Sequence, residues 1–324
     1  MTTPEIILIT LGGLLAAFAI LELALFLKVF YAPKRRVLGE DEYEMIEGEE
    51  YVPYHAAMLA WEKENRARER RALTVTSYDG LTLRGFYYEY RAGAPIEIIF
   101  NGYRGTAERD LSAAVERCFS LGHSVLIANQ RASGISDGHV ITFGVRECRD
   151  TLPWVELVRE TFGADIPIIL GGVSMGAATV MMASGLELPD NVVCILADCG
   201  YSTAKEIIGK SIREMHLPPR AVYPLIKLSA RIFGGFDLEE SSPMDAMKRA
   251  TLPVVFLHGD NDNFVPHTMS EELHSACTSK HKRLVLIKGA AHGLAYPADK
   301  EGYVNALREF EAEWSKDCPL MNRT

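Results

Sequence analysis

Ser174 is the residue around which chemistry can be organised. It stands in Gly172-Val-Ser174-Met-Gly176, directly after the apolar run Ile166-Pro-Ile-Ile-Leu-Gly171. This segment predicts a strand turning sharply into a helix, with the serine hydroxyl lifted clear of the chain in a strained conformation. The glycines two positions to either side leave room where strand and helix cross. The following Ala177–Ser184 reads as a helix whose positive end faces the serine. The positive end of its dipole favours a developing oxyanion. The chemistry this arrangement predicts is nucleophilic attack by the hydroxyl.

A serine hydroxyl is a poor nucleophile without a base, and the base needs a third group to hold its tautomer. Val255-Phe-Leu-His-Gly-Asp-Asn-Asp-Asn-Phe-Val-Pro266 ends a predicted strand and carries both Asp260 and Asp262 into the loop beyond it. Ile287-Lys-Gly-Ala-Ala-His-Gly293 ends the next predicted strand, with His292 between small residues. Serine, then acid, then histidine is the chain order expected for a nucleophile of this kind. Asp198, after the strand that follows the serine, is a further candidate acid.

Positioning these groups requires a sheet. Ile96–Asn101, Ser124–Asn129, Ile166–Val173, Val192–Ala197, Val254–His258 and Leu284–Lys288 read as buried strands. Helical stretches near Ala107–Leu121, Val145–Thr161, Ser270–Cys277 and Glu301–Trp314 alternate with them or follow them. Two alternating runs joined at Asp79-Gly80 predict a hairpin ahead of the first buried strand. The pattern predicts an α/β fold with a mostly parallel sheet covered by helices on both faces. Ser202–Ser242 interrupts the alternation with helical character broken at Pro218-Pro219 and Gly234-Gly235. It is expected to form a helical cap over the site, with most of Met215, Leu217, Tyr223, Leu225, Ile226, Leu228, Ile232 and Phe233 packed on the body.

The chain has 324 residues, 48% hydrophobic and 24% charged, with a net charge of −9. That suits one main domain of enzyme size, and the acidic balance argues against a nucleic-acid groove. Cys118, Cys148, Cys194, Cys199, Cys277 and Cys318 form no CxxC pair and no Cys/His ligand spacing. They read as reduced core thiols, with no metal and no organic cofactor implied.

Ile6 to Leu27 is an almost unbroken hydrophobic run in which Glu22 is the one charge, long enough to cross a bilayer. The basic residues Lys28, Lys34, Arg35 and Arg36 follow the run instead of preceding it, unlike a cleaved leader. A retained single-pass transmembrane helix is therefore expected. The same bias predicts a cytoplasmic catalytic domain, with an extracytoplasmic one as the alternative. Glu22 is expected near the headgroups. Gly39–Glu50 reads as an acidic linker, and Tyr54–Arg71 as a juxtamembrane helix, a stalk or flank with a basic end.

From Leu73 to Lys316 the chain resembles the α/β-hydrolase family. The resemblance rests on Asn101-Gly-Tyr-Arg-Gly105, Gly172–Gly176, His258-Gly-Asp-Asn-Asp-Asn-Phe-Val-Pro266 and His292-Gly293. With the anchor and Asn129-Gln-Arg-Ala-Ser-Gly-Ile-Ser-Asp-Gly138, it is similar to membrane-anchored bacterial α/β-hydrolases of largely unassigned substrate. The resemblance implies Ser174 as nucleophile, His292 as general base and then acid, and Asp262, chosen over Asp260 by the family's spacing, as the orienting carboxylate. It also implies an oxyanion hole from the backbone N–H groups of Met175 and Tyr103. Asn101 stands where relatives often have histidine, and so does the serine of Arg131-Ala-Ser-Gly134. The expected division is an anchor and basic flank over 1–38, a linker and juxtamembrane helix over 39–72, and a hydrolase domain over 73–324 with its cap at 202–242. The function implied is a serine hydrolase acting on an ester or thioester of a small-molecule or lipid-like substrate. A peptidase or amidase on the same scaffold, and a non-catalytic membrane-tethered interaction module, are the alternatives.

Overall fold

The alternating apolar runs form an eight-stranded sheet: β1 (Arg71–Thr76), β2 (Thr82–Tyr88), β3 (Ile96–Phe100), β4 (Ser124–Ala128), β5 (Ile168–Val173), β6 (Val192–Asp198), β7 (Val254–Gly259) and β8 (Lys282–Ile287). This computed structural model describes residues 2–321; Met1 and residues 322–324, the outer ends of the anchor and of the main domain, lie outside the described residues. The strand order is β1-β2-β4-β3-β5-β6-β7-β8. β2 runs antiparallel to both its neighbours, and the pairs from β4 through β8 are parallel. All the parallel strands therefore point their C-terminal ends to one edge, where the site lies.

Alternation along the central strands fills both faces. Ile168 and Leu170 of β5 face Trp154, Val158 and Met181 from the helices at Glu147–Phe162 and Met175–Ala183. Ile169 faces the opposite layer, where the helix at Lys300–Trp314 contributes Tyr303, Leu307 and Phe310. β8 departs from the expected buried strand. It is an outer strand, half-buried along most of its length, with Leu286 40% exposed, because it has a neighbour on one side only. The expected helix over 107–121 is two pieces, Ala107–Asp110 and Ala114–Leu121.

The helix at His55–Ala67 is a flank, not a stalk. Its Met58 and Trp61 are buried in the layer of the C-terminal helix, and Trp61 Nε1 donates to Glu116 at 2.7 Å. The basic run at its end is occupied within the protein: Arg66 pairs with Glu62, Arg68 with Glu64 and Arg70 with Glu108.

The N-terminal helix, Thr3–Val29, divides into two parts. Residues 2–21 are exposed throughout, whereas Glu22, Phe26 and Phe30, one stripe at four-residue spacing, are buried. That stripe packs against the second cap helix, Pro219–Ser229. Glu22 thus turns toward protein, and its carboxylate oxygens have no hydrogen-bond partner among the described residues. The first cap helix is Ala204–Glu214, and a π-helical turn, Ala230–Gly234, follows the second. Tyr223 and Ile226 pack inward as expected. Met215, Leu217, Ile232 and Phe233 do not; they are 46%, 45%, 55% and 40% exposed.

Candidate active site

β5 ends at Val173, and Ser174 adopts φ 57° and ψ −116°, a conformation an L-residue holds only under constraint. The constraint is visible at the two flanking glycines. A Cβ on Gly172 would lie 2.1 Å from the Gly176 carbonyl carbon, and one on Gly176 would lie 2.1 Å from the Phe100 oxygen. Strand, turn and helix therefore cross at contact distance. Ser174 N–H donates to the Asp198 carbonyl at 2.8 Å, which fixes the turn to β6.

Ser174 Oγ lies 2.9 Å from His292 Nε2, and His292 Nδ1 lies 2.7 Å from Asp262 Oδ2. An ionised carboxylate only accepts, so Nδ1 carries the hydrogen and Nε2 is left to accept from the serine hydroxyl. Asp262 Oδ1 accepts from the N–H groups of Phe264 and Val265 at 2.9 and 2.8 Å. Burial works to raise this carboxyl, but hydrogen bonds from His258 and His292, with their charge, outweigh it and hold it below the usual carboxylate range.

His258, near the end of β7, is a functional residue that sequence reasoning missed. Its Nε2 faces two acceptors, Asp262 Oδ2 at 3.1 Å and the Val265 carbonyl at 2.9 Å, so that nitrogen donates; Ser270 Oγ sits 2.7 Å from Nδ1. The spacing His258-Gly-x-x-Asp262 was the available signal. Tyr51 was also missed: its hydroxyl donates to the His292 carbonyl at 2.9 Å across a separation of 241 residues, for which no local signal exists.

The rival acids point elsewhere. Asp260 is exposed and accepts from Gly289 N–H at 2.5 Å, bracing the turn after β8. Asp198 is buried and accepts from the Tyr303 hydroxyl at 2.8 Å, on the side of the C-terminal helix. Cys199, Asp262 and His292 bring one donor atom each within 4.8 Å of one another, the one such group of metal-ligand type among the described residues. Burial pushes the Cys199 thiol well up, and Asp262 already accepts four hydrogen bonds, so these groups suit a hydrogen-bonded relay better than a metal.

Met175 begins the helix after the serine, so its N–H has no intrahelical acceptor. The loop after β3 passes close by, since a Cβ on Gly102 would come within 3.5 Å of Ser174 Cβ. The two departures from the family pattern meet here: Asn101 Nδ2 donates to Ser133 Oγ at 2.9 Å, and Ser133 Oγ donates on to the Gly105 carbonyl at 2.8 Å. Gln130 ties the loop to the serine's helix, donating to the Asn101 carbonyl at 2.6 Å and accepting from Thr179 at 2.9 Å.

Tyr103 is held from an unexpected quarter. Its hydroxyl donates to the Val29 carbonyl at 2.7 Å, and Arg104, at φ 52°, donates to the carbonyls of Lys28 and Tyr31 at 2.8 and 2.9 Å. Phe30 is fully buried, with its ring 5.9 Å from Phe143 and 5.4 Å from Phe236. The last turn of the N-terminal helix is thus part of the wall beside the serine.

Comparisons with known proteins agree with this architecture. Residues 225–299, which include Asp262 and His292, match the family described as serine aminopeptidase, S33, of the Hydrolase_4 type. The Pyrococcus furiosus esterase Pf2001 superposes with a TM-score of 0.65 at 18% identity, over 88% of this chain and 98% of that one. The chain has the α/β-hydrolase fold. Est1E from Butyrivibrio proteoclasticus, solved with ferulic acid bound, superposes on this chain with a TM-score of 0.56 at 22% identity, over 74% of this chain and 98% of its own. Two relatives are similar in sequence: the uncharacterized protein YqkD of Bacillus subtilis, 25% identical over 75% of this chain and 79% of its own length, and the uncharacterized protein Rv2307c of Mycobacterium tuberculosis, 25% identical with the same coverage.

Proposed function

We propose that this hydrolase is a membrane-anchored serine esterase or thioesterase working through an acyl-enzyme. The observation that carries the reading is the continuous chain from Ser174 Oγ through His292 to Asp262, at 2.9 and 2.7 Å, on a strained turn at a helix N-terminus. His292 Nε2 takes the serine proton as Oγ bonds to the acyl carbon, and Asp262 stabilises the imidazolium. The oxyanion is held by the N–H groups of Met175 and Tyr103. His292 then gives its proton to the leaving alcohol or thiol as the carbonyl reforms. Water, deprotonated by the same histidine, releases the acid and restores the serine.

An acyl ester is favoured by the apolar character of the buried cluster beside the serine, which joins Met175 to Phe143, Tyr201, Ile207, Ile208 and Val265. The aminopeptidase reading is favoured by the description of the family matched over residues 225–299. The helix at Thr3–Val29 is long and apolar enough to span a membrane. That it is retained is supported by Phe26 and Phe30, which lie in the same cluster as Met175; cleavage after them would take out part of the core. Lys28, Lys34, Arg35 and Arg36, all on the C-terminal flank, support a cytoplasmic orientation.

The test is labelling of the full-length protein with a fluorophosphonate, then turnover of short p-nitrophenyl esters against aminoacyl anilides. Labelling lost in Ser174→Ala, with esters preferred, is the expected result. Preference for anilides would select the peptidase, and labelling retained in Ser174→Ala would remove the nucleophile assignment.

A further inference from the structure

The cap exposes Met215, Leu217, Ile232 and Phe233, and Met215 and Phe233 stand beside the end of the N-terminal helix. Lys28 Nζ lies 3.8 Å from Met215 Sδ, and the Phe26 ring lies 5.7 Å from that of Phe233. Lys28, at the same helix end, and Arg213 and Arg220, in the same cap segment, are exposed. Large apolar side chains in water, next to an apolar helix and with cations in the same segments, need a covering of matching chemistry.

Helix length says what the covering is. The part of the helix free of protein on all sides, Thr3 to Leu21, measures about 28 Å at 1.5 Å per residue, close to the hydrocarbon thickness of about 30 Å. Headgroups add about 5–7 Å on each side. Phe26 lies about 7 Å further along the helix than Leu21, so its neighbour Phe233 falls at headgroup depth. Lys28, one half-turn on, is placed for its ammonium to reach phosphates.

We infer that the surface formed by Met215, Leu217, Ile232 and Phe233 is seated in the headgroup layer of a phospholipid bilayer, beside the exit of the N-terminal helix. The inference rests on the spanning reading of that helix. It also narrows the substrate class. The inner side of the same cap segment contributes Ile207, Ile208, Ile212 and Tyr223 to the cluster that contains Met175 and the Tyr103 ring. The cap thus carries a bilayer-facing surface on one side and the apolar layer beside the serine on the other, which favours an acyl chain already in the bilayer as substrate.

The test uses full-length protein in phosphatidylcholine–phosphatidylglycerol vesicles in which part of the lipid is brominated near the headgroup. The native Trp61, Trp154 and Trp314 are buried and give a low quenching background. Phe233→Trp and Leu15→Trp are both expected to lose about half their added fluorescence. Tyr90→Trp, an exposed position beside the start of β4 at the opposite end of the sheet, is expected to lose none. Phe233→Trp unquenched with Leu15→Trp quenched would overturn the docked cap while leaving the span intact, as it would if another protein covered the patch. Leu15→Trp unquenched would instead overturn the spanning reading. In parallel, Ile232→Ser with Phe233→Ser is expected to lower turnover of a vesicle-embedded long-chain ester by about ten-fold and that of a water-soluble short ester by less than about two-fold. Equal losses on the two substrates would also overturn the proposal.

Discussion

The two sides of the candidate site are held by different kinds of structure. Ser174, Asp262 and His292 stand within a few residues of the ends of β5, β7 and β8 and are fixed mainly by turns and hydrogen bonds at those ends, with Tyr51 adding one distant contact to the His292 carbonyl. Tyr103 stands in a loop with a left-handed arginine beside it, and its fixings come from Val29 and Lys28, more than seventy positions earlier in the chain. The proposed acid–base side is built by the sheet. The proposed oxyanion side is completed by the tail of a helix whose first part is free of the protein. Changes at Ser174 and His292 should therefore act on chemistry with little effect on folding, and changes on the second side should act on both.

The largest effect is expected at the nucleophile and its base. Ser174→Ala and His292→Ala should each lower ester turnover by about 10⁴- to 10⁶-fold, and the double variant should be hardly worse because the pair acts as a unit. Thermal unfolding of Ser174→Ala should be near that of the parent, since the hydroxyl contributes little packing. A double variant whose losses multiply would break the sheet-built side into independent parts.

Asp262→Asn comes next, with a loss of about 10⁴-fold from a wrong histidine tautomer. Asp260→Asn should stay within about ten-fold, because Asp260 braces a backbone N–H of the β8 turn and does not touch His292. Steady-state turnover of the two variants checks the order, and the reverse ranking would move the acid to Asp260.

On the oxyanion side, Phe30→Ala should destabilise the fold by about 3–5 kcal/mol, the usual cost of emptying a buried aromatic site. Tyr103→Phe is the finer probe. Removing the hydroxyl that binds the Val29 carbonyl should lower kcat by about five-fold, equivalent to about 1 kcal/mol, with KM little changed. A Tyr103→Phe enzyme with unaltered kcat would separate the helix tail from the oxyanion loop.

The same division explains what could be read in the sequence. The strands, the turn at Ser174 and the loops bearing Asp262 and His292 are local: hydrophobic run, glycine spacing and a polar residue at a strand end. The roles of Tyr51, Phe30 and the Tyr103 hydroxyl arise only when segments far apart in the chain meet, and no spacing rule carries that information. β8 was misjudged as buried because an apolar run does not disclose which strand is outermost. The Arg66–Arg71 run reads only as a basic end, because charge pattern alone does not reveal that Glu62, Glu64 and Glu108 pair with Arg66, Arg68 and Arg70.

The smallest expected effect separates the two sides by pH. The folded Asp262 carboxyl lies below its ordinary value of 3.8, since the hydrogen bonds and charge of His258 and His292 outweigh the opposing effect of burial. A depressed folded value means that ionised Asp262 stabilises the fold above about pH 4 and that this contribution fades as pH falls from there toward the folded value. Asp262→Asn cannot show that dependence. The difference in unfolding midpoint between parent and Asp262→Asn should therefore be widest near pH 6 and shrink toward pH 3. The Tyr103–Val29 contact joins a phenol to a backbone carbonyl, neither of which changes charge in that interval, so the deficit of Tyr103→Phe should be level across it. Midpoints of the full-length protein in one detergent at several pH values between 3 and 6 decide the matter. A level Asp262→Asn difference would mean that the carboxylate is not held by its two histidines, and a sloping Tyr103→Phe difference would mean that the oxyanion side depends on a titrating group as well.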